Sequence, residues 1–76
     1  MREQIGETAG KIWRTLGQKG EANIAMLPKL LKEKSELVYQ GLGWLAHENK
    51  IIYLKKSDKN FVKLTNPELD IFKTVH

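Results

Sequence analysis

KSELVYQGLGWLAHENKIIYLKKSDKNFVKL, residues 34–64, changes its period part-way along. Between Leu37 and Leu45 apolar side chains recur at three- and four-residue steps, at Leu37, Val38, Leu42 and Leu45, which is helical spacing. Beyond Lys50 that period is lost. IIYLKKS, residues 51–57, and NFVKLT, residues 60–65, are rich in β-formers, with Tyr53, Lys55, Phe61 and Lys63 in partial alternation. SDKN, residues 57–60, reads as the turn that joins them into a hairpin. The stretch is therefore a helix running into a two-stranded hairpin.

Working upstream, Lys34-Ser35 breaks the pattern, and Ser35 is expected to N-cap the helix Glu36–Glu48. Val38 stands where Glu or Gln would complete a capping box, so the box is incomplete. A shorter helix, Met26–Glu33, precedes it. Pro28 falls in its first turn, where a missing N–H costs nothing, and Leu27, Leu30 and Leu31 form its expected buried face. Glu21–Ala25 is a candidate edge strand. Before it, Glu3–Gln18 places Ile5, Ala9, Ile12, Trp13 and Leu16 on one helical stripe, closed by Gly17 and Gly20. Downstream, Asn66 is expected to cap a last helix, with Pro67 and Glu68 in its first turn and Leu69, Ile71, Phe72 and Val75 on its apolar side.

Two helices joined by a tight turn and followed by a hairpin make an α+β winged helix-turn-helix. The expectation is one such domain over residues 1–76, with three helices, a two-stranded wing, a short edge strand and a C-terminal helix. A chain of 76 residues has room for one core and buries only about 60% of its unfolded surface, so a second copy would add to its stability.

On a helical wheel, Leu37, Val38, Gly41, Leu42 and Leu45 share the inner side of the third helix. Glu36, Tyr39, Gln40, Gly43 and His47 share the outer side, with Trp44 at the border. Each glycine costs a helix roughly 0.5–1 kcal/mol relative to alanine. Gly41 is expected to admit the first helix closely, with Ile12 or Trp13 filling the space. Gly43 has no core to explain it. It is either a surface glycine without a role or a place where backbone meets a partner.

The formal net charge is +4, and its placement is uneven. Residues 1–34 carry +3 and residues 51–64 carry +3, whereas 35–50 and 65–76 carry −1 each. The outer side of the third helix has no Arg or Lys. Lysines at 29, 32 and 34 flank the turn, and Lys55, Lys56, Lys59 and Lys63 lie on the hairpin. They make a sparse phosphate footprint, or they keep exposed strand edges from pairing.

GKIWRTLGQKG, residues 10–20, followed by ELVYQGLGWLAHENKI, residues 36–51, resembles the short stand-alone winged helix-turn-helix proteins of bacteria and archaea whose function is unassigned. The shared features are the Gly-Lys-Ile-Trp start, a glutamate after the glycine turn, and the run Gly43-Trp44-Leu45-Ala46 followed by an acidic residue and a lysine. The resemblance extends from Ile5 to about Thr65. His47 stands where a basic residue is expected in that pattern. The resemblance implies the fold, and a DNA-related role by analogy, since winged helices also bind proteins.

No nucleophile motif, phosphate-binding loop or dinucleotide fingerprint is present, and the acidic residues are scattered, so an enzyme is not expected. His47 and His76 lack ligand-spaced neighbours and there is no cysteine, so neither metal nor other cofactor is expected. No small-molecule ligand is inferred. The absence of thiols, of an apolar run of about 18 residues and of a signal core points to a cytoplasmic protein without membrane attachment.

Two functions fit. The first is a small DNA-binding transcription regulator that contacts double-stranded DNA through Lys34, Ser35, Tyr39, Gln40, Gly43, His47, Lys55, Lys56 and Lys59. The second is a winged-helix interaction or dimerisation module without DNA binding. A homodimer is compatible with both, and its candidate surface includes Trp44, Leu69, Phe72 and Val75.

Overall fold

A computed structural model describes residues 2–75. Helix α1 (Arg2–Lys19) is followed by strand β1 (Glu21–Asn23), a 3₁₀ turn (Ile24–Met26) and the short helix α2 (Leu27–Leu31). Helix α3 (Ser35–His47), strands β2 (Ile51–Lys56) and β3 (Lys59–Leu64), and helix α4 (Asn66–Val75) complete the chain. This is the expected α+β winged helix.

The stripe on α1 supplies the middle of the core. Ala9, Ile12 and Leu16 are buried, and they meet Val38, Leu42 and Leu45 of α3. Burying each Leu or Ile side chain stabilises the fold by roughly 1.5–3 kcal/mol. One polar residue joins them. Thr8 is buried, and its hydroxyl donates to Glu33 Oε2 over 3.4 Å, while Lys11 Nζ reaches the same oxygen at 3.1 Å. The carboxylate of Glu33 thus pins the end of the α2 segment to α1.

Gly20, at φ 88°, ends α1 in the left-handed region and donates its N–H to Leu16 O. Gly17 does not end the helix as expected. It lies inside α1, and the Phe72 ring occupies the space over it: a Cβ there would come within 2.5 Å of ring carbons.

The second helix is shorter than its sequence pattern. Its first residue, Met26, ends the 3₁₀ turn, which also takes Ile24 and Ala25 from the expected edge strand and for which the Asn23 side chain accepts the Ala25 N–H. Its end is set by Lys32, left-handed at φ 57°. A helix of five residues has little more than one turn, so the expected face is not completed. Leu27 is buried and Leu31 packs at the margin, but Leu30 is 47% exposed.

Helix α3 starts one residue earlier than expected. Lys34 is extended and its carbonyl accepts the Val38 N–H, so Lys34 is the N-cap and Ser35 is already helical. No side chain caps this end. At the other end Asn49 is left-handed at φ 58°, its N–H bonds Ala46 O, and Lys50 N–H bonds Leu45 O. This Schellman arrangement turns the chain from α3 into β2.

The sheet is antiparallel with order β1-β3-β2. Ile51 pairs with Leu64, and Tyr53 with Val62, which also pairs with Ala22. These residues share the face turned to the helices. The hairpin is tighter than SDKN implied. Ser57 and Asp58 alone form the loop, both at positive φ (49° and 64°), between paired Lys56 and Lys59. Two left-handed residues in a two-residue loop match the right-handed twist of the strands.

After β3, Thr65 N–H bonds Lys50 O, and Thr65 O accepts the Leu69 N–H. Thr65 therefore stands at the N-cap of α4, and the expected cap Asn66 is the first helical residue. Leu69 and Phe72 pack against the core. Trp13 meets Phe72 edge to face at 5.5 Å between centroids, and its indole N–H donates to Glu68 Oε1 at 2.9 Å.

Candidate nucleic-acid interface

Packing α3 on α1 through Val38, Gly41, Leu42 and Leu45 leaves the opposite side of the helix in solvent. Gly41 makes this possible, since a Cβ there would sit 3.0 Å from Ile12 Cδ1 and 3.3 Å from Ala9 N. Glu36, Tyr39, Gln40, Gly43 and His47 are all exposed. A Cβ at Gly43 would meet nothing within 4 Å, so the backbone there is open to an approaching surface.

A groove of 370 Å³ separates α3 from the wing tip. Tyr39, 53% exposed, forms one wall, and Asp58, Lys59 and Asn60 form the other. Asn23, Ile24 and Ala25 close its end. The fold therefore brings Tyr39 and Lys59 to one site. Asn23 and Asn60 were not expected there. Only the pairing of β1 with β3, which joins Asn23 to Phe61, places them together.

Lys34 and Ser35 are exposed at the start of α3, and Lys29 and Lys32 before them are exposed as well. The wing lysines divide. Lys55 shares the strand face of Ile51 and Tyr53, whereas Lys56 points to the other face. There Lys56 Nζ lies 2.7 and 2.9 Å from the two Glu21 carboxylate oxygens and 5.7 Å from the Phe61 ring centroid. Its charge is shared with Glu21, which is absent from the expected footprint. Tyr53 is half-exposed on the sheet face of Ile51 and Val62, and burial pushes its phenol above the ordinary tyrosine value.

Of the expected pairing residues, Leu69 and Phe72 serve the domain's own core. Trp44 is 50% exposed and Val75 69% exposed. His76 lies outside the described residues. Among the described residues, no helix is long and apolar enough to cross a membrane.

Residues 1–64 match a family described as a winged helix-turn-helix domain, DUF2582. The chain is 42% identical over 64 residues to Uncharacterized protein MJ1608 of Methanocaldococcus jannaschii, covering 80% of this chain and 90% of that protein. Among solved structures it is similar to apo ZitR of Lactococcus lactis, a mutant form, with TM-score 0.81 and 18% identity over 97% of this chain. It is similar to the transcriptional regulator HlyU of Vibrio vulnificus, with TM-score 0.78 and 20% identity over 92% of this chain. A mutant of MepR from S. aureus, bound to oligodeoxyribonucleotide, gives TM-score 0.63 and 18% identity over 95% of this chain. The chain spans 58% of the ZitR chain, 73% of the HlyU chain and 55% of the MepR chain. At these identities the likeness is one of fold.

Proposed function

The chain belongs to the winged helix-turn-helix family DUF2582, and from that premise we propose that it is a DNA-binding regulator that reads the major groove with α3. The observation that carries this reading is the outer side of α3. Tyr39, Gln40 and Gly43 have no part in the core, and Tyr39 faces Lys59 of the wing across an open groove. Gln40 is suited to the paired donor and acceptor of adenine, while Lys34, Ser35, Lys55 and Lys59 are exposed and would meet phosphates on either side. His47 lies at the far end of the same side. The likeness in fold to the transcriptional regulator HlyU and to the MepR mutant bound to oligodeoxyribonucleotide supports the assignment. A homodimer would present two α3 helices to a palindromic site.

The competing reading, an interaction module without DNA affinity, draws on one observation. The outer side of α3 carries Glu36 and no Arg or Lys.

Titration with mixed-sequence duplex DNA at low and moderate salt, followed by amide shifts, separates the two. DNA binding predicts shifts at Tyr39, Gln40, Gly43 and Lys59. It also predicts affinity falling with salt, at a slope of about 0.9 per neutralised phosphate. Absence of any shift at low salt removes DNA as the partner.

A further inference from the structure

A second groove, of 470 Å³, is lined from α1, α3 and α4 and shares no lining residue with the wing groove. Gly6, Gly10 and Trp13 of α1 follow one another at four- and three-residue steps, so one side of that helix faces it. Trp44 of α3 and Ile71 of α4, both half-exposed, line it as well. Arg14, Lys50 and Glu68 bring charge to the same lining. We propose that this groove is a binding site for a small aromatic carboxylate. The indoles of Trp13 and Trp44 take its flat body, and Arg14 and Lys50 answer its charge.

The charge of the lining selects an anion. Arg14 and Lys50 make no ion pair among the described residues. Arg14 Nη1 would stand 3.6 Å from a Cβ at Gly10, so the side chain runs back over the preceding turn of α1 and its guanidinium lies on the helix surface. Lys50 is half-buried, and its backbone is fixed, with its N–H on Leu45 O and its carbonyl accepting the Thr65 N–H. The carboxylate of the lining, Glu68, accepts the Trp13 indole N–H at 2.9 Å and pairs with neither cation. The lining therefore carries one positive charge in excess, which a single carboxylate neutralises. A guanidinium fork can also bond both oxygens of that carboxylate.

The walls select a flat apolar body. Trp13 is held from two sides, edge to face with Phe72 at 5.5 Å and by its bond to Glu68, so its ring is a preformed surface. Trp44 leaves half its area in solvent and stands outside the core, where its ring can receive an offset or edge-on aromatic partner. Ala9 and Leu45 add apolar surface between them. A volume of 470 Å³ is that of a small-molecule site, the range being about 300 to 1,000 Å³. A polyphosphate would bring more negative charge than the lining can answer. Three helices far apart in sequence build this lining, which is why the sequence implied no such ligand.

The assignment does not depend on DNA binding, and its test contains no DNA. The chain has 2 tryptophans, so its amide spectrum carries two indole N–H signals. Titration of the full chain with 2-naphthoate at neutral pH is expected to shift both on one saturating curve, with a dissociation constant of about a millimolar or below. The amides of Tyr39 and Lys59, in the wing groove, should not follow that curve. 2-Naphthamide has the same outline without the charge and should bind about tenfold more weakly. Arg14→Gln and Lys50→Gln should each weaken naphthoate by about fivefold and leave naphthamide unchanged. Trp44→Ala should weaken both ligands. No saturating shift up to about 10 mM, naphthamide as tight as naphthoate, or wing amides moving with the indoles would each overturn the proposal. So would wild-type affinity for naphthoate in both Gln variants. If a variant melts early, the ratio of naphthoate to naphthamide affinity on the wild-type chain still decides.

Discussion

The Phe72 ring lies directly on Gly17, so close that a single added carbon would stand 2.5 Å from it. Helix α4 is seated on α1 at this bare position and at Trp13 one turn before it. Gly17→Ala should therefore destabilise the fold by about 1–2 kcal/mol, because overpacking costs roughly 1–3 kcal/mol and the helix gains only about 0.5–1. Urea unfolding measures it. Phe72→Leu in the same background should restore part of the loss. A stabilised Gly17→Ala protein would mean that α4 moves aside freely.

Two glycines of α3 predict effects of opposite sign. Gly41→Ala pushes on Ile12 Cδ1 at 3.0 Å and on the backbone of Ala9 at 3.3 Å, and backbone cannot rotate away. It should cost about 1–2 kcal/mol. Gly43→Ala meets nothing and should stabilise the helix by roughly 0.5–1 kcal/mol. Thermal melts of the two variants would show a helix packed on one side only, and two destabilised variants would count against it.

Trp13 and Glu68 tie α1 to α4 through the 2.9 Å bond from Nε1 to Oε1. Trp13→Phe keeps a ring beside Phe72 but removes the donor. It should cost about 1.5 kcal/mol, the low end for a bond to a charged acceptor that water can reach. Glu68→Gln retains an acceptor and should cost less. Denaturation of both single variants and the double gives the coupling, and a coupling near zero would show the bond to be incidental.

On the DNA reading, Lys56 is held back by Glu21, with both carboxylate oxygens within 2.9 Å. Glu21→Gln should free it, tightening duplex binding and steepening the salt dependence by up to about one phosphate. Lys59→Ala should flatten the same slope by about 0.9, and Lys56→Ala by less. Fluorescence anisotropy with a labelled duplex at several salt concentrations reads all three. Equal effects of the two lysine changes would discard the tether.

Tyr53 adds a pH dependence at the alkaline end. Burial disfavours its phenolate, so its folded value lies above the unfolded one. The contribution to stability is whole below the unfolded value of about 10 and is lost as the pH rises through the folded value. Tyr53→Phe should flatten the fall in stability above about pH 10 relative to wild type. Absorbance at the phenolate band during alkaline titration follows the ionisation directly.

Regular periodicity made the long elements legible in the sequence. Val38, Leu42 and Leu45 marked α3 and its buried side, though Leu37, expected with them, is only partly buried, and the change of period at Ile51 marked the wing. The errors fall where a few backbone angles decide. Lys32 and Asn49 take left-handed conformations without glycine, Thr65 rather than Asn66 ends up at a cap, and the four-residue turn closes in two. The site was legible in one dimension only. A wheel placed Tyr39, Gln40, Gly43 and His47 together, but strand register alone decides that Lys55 and Lys56 face opposite ways and that Asn23 and Asn60 reach the groove. The ring over Gly17 had no signal, because residues 55 positions apart meet there.

Strand β3 lies between β1 and β2, so its six residues join parts of the chain that are made long before it. A growing chain that has reached Lys56 already contains the whole helix-turn-helix, yet β1 still has no strand beside it and the core still lacks Val62 and Leu64. Assembly must wait for one of the last segments to be synthesised. It is also why the wing cannot be treated as an appendage: a protease cut between Ser57 and Asp58 that let β3 leave would strip β1 of its neighbour and take Val62 and Leu64 out of the core.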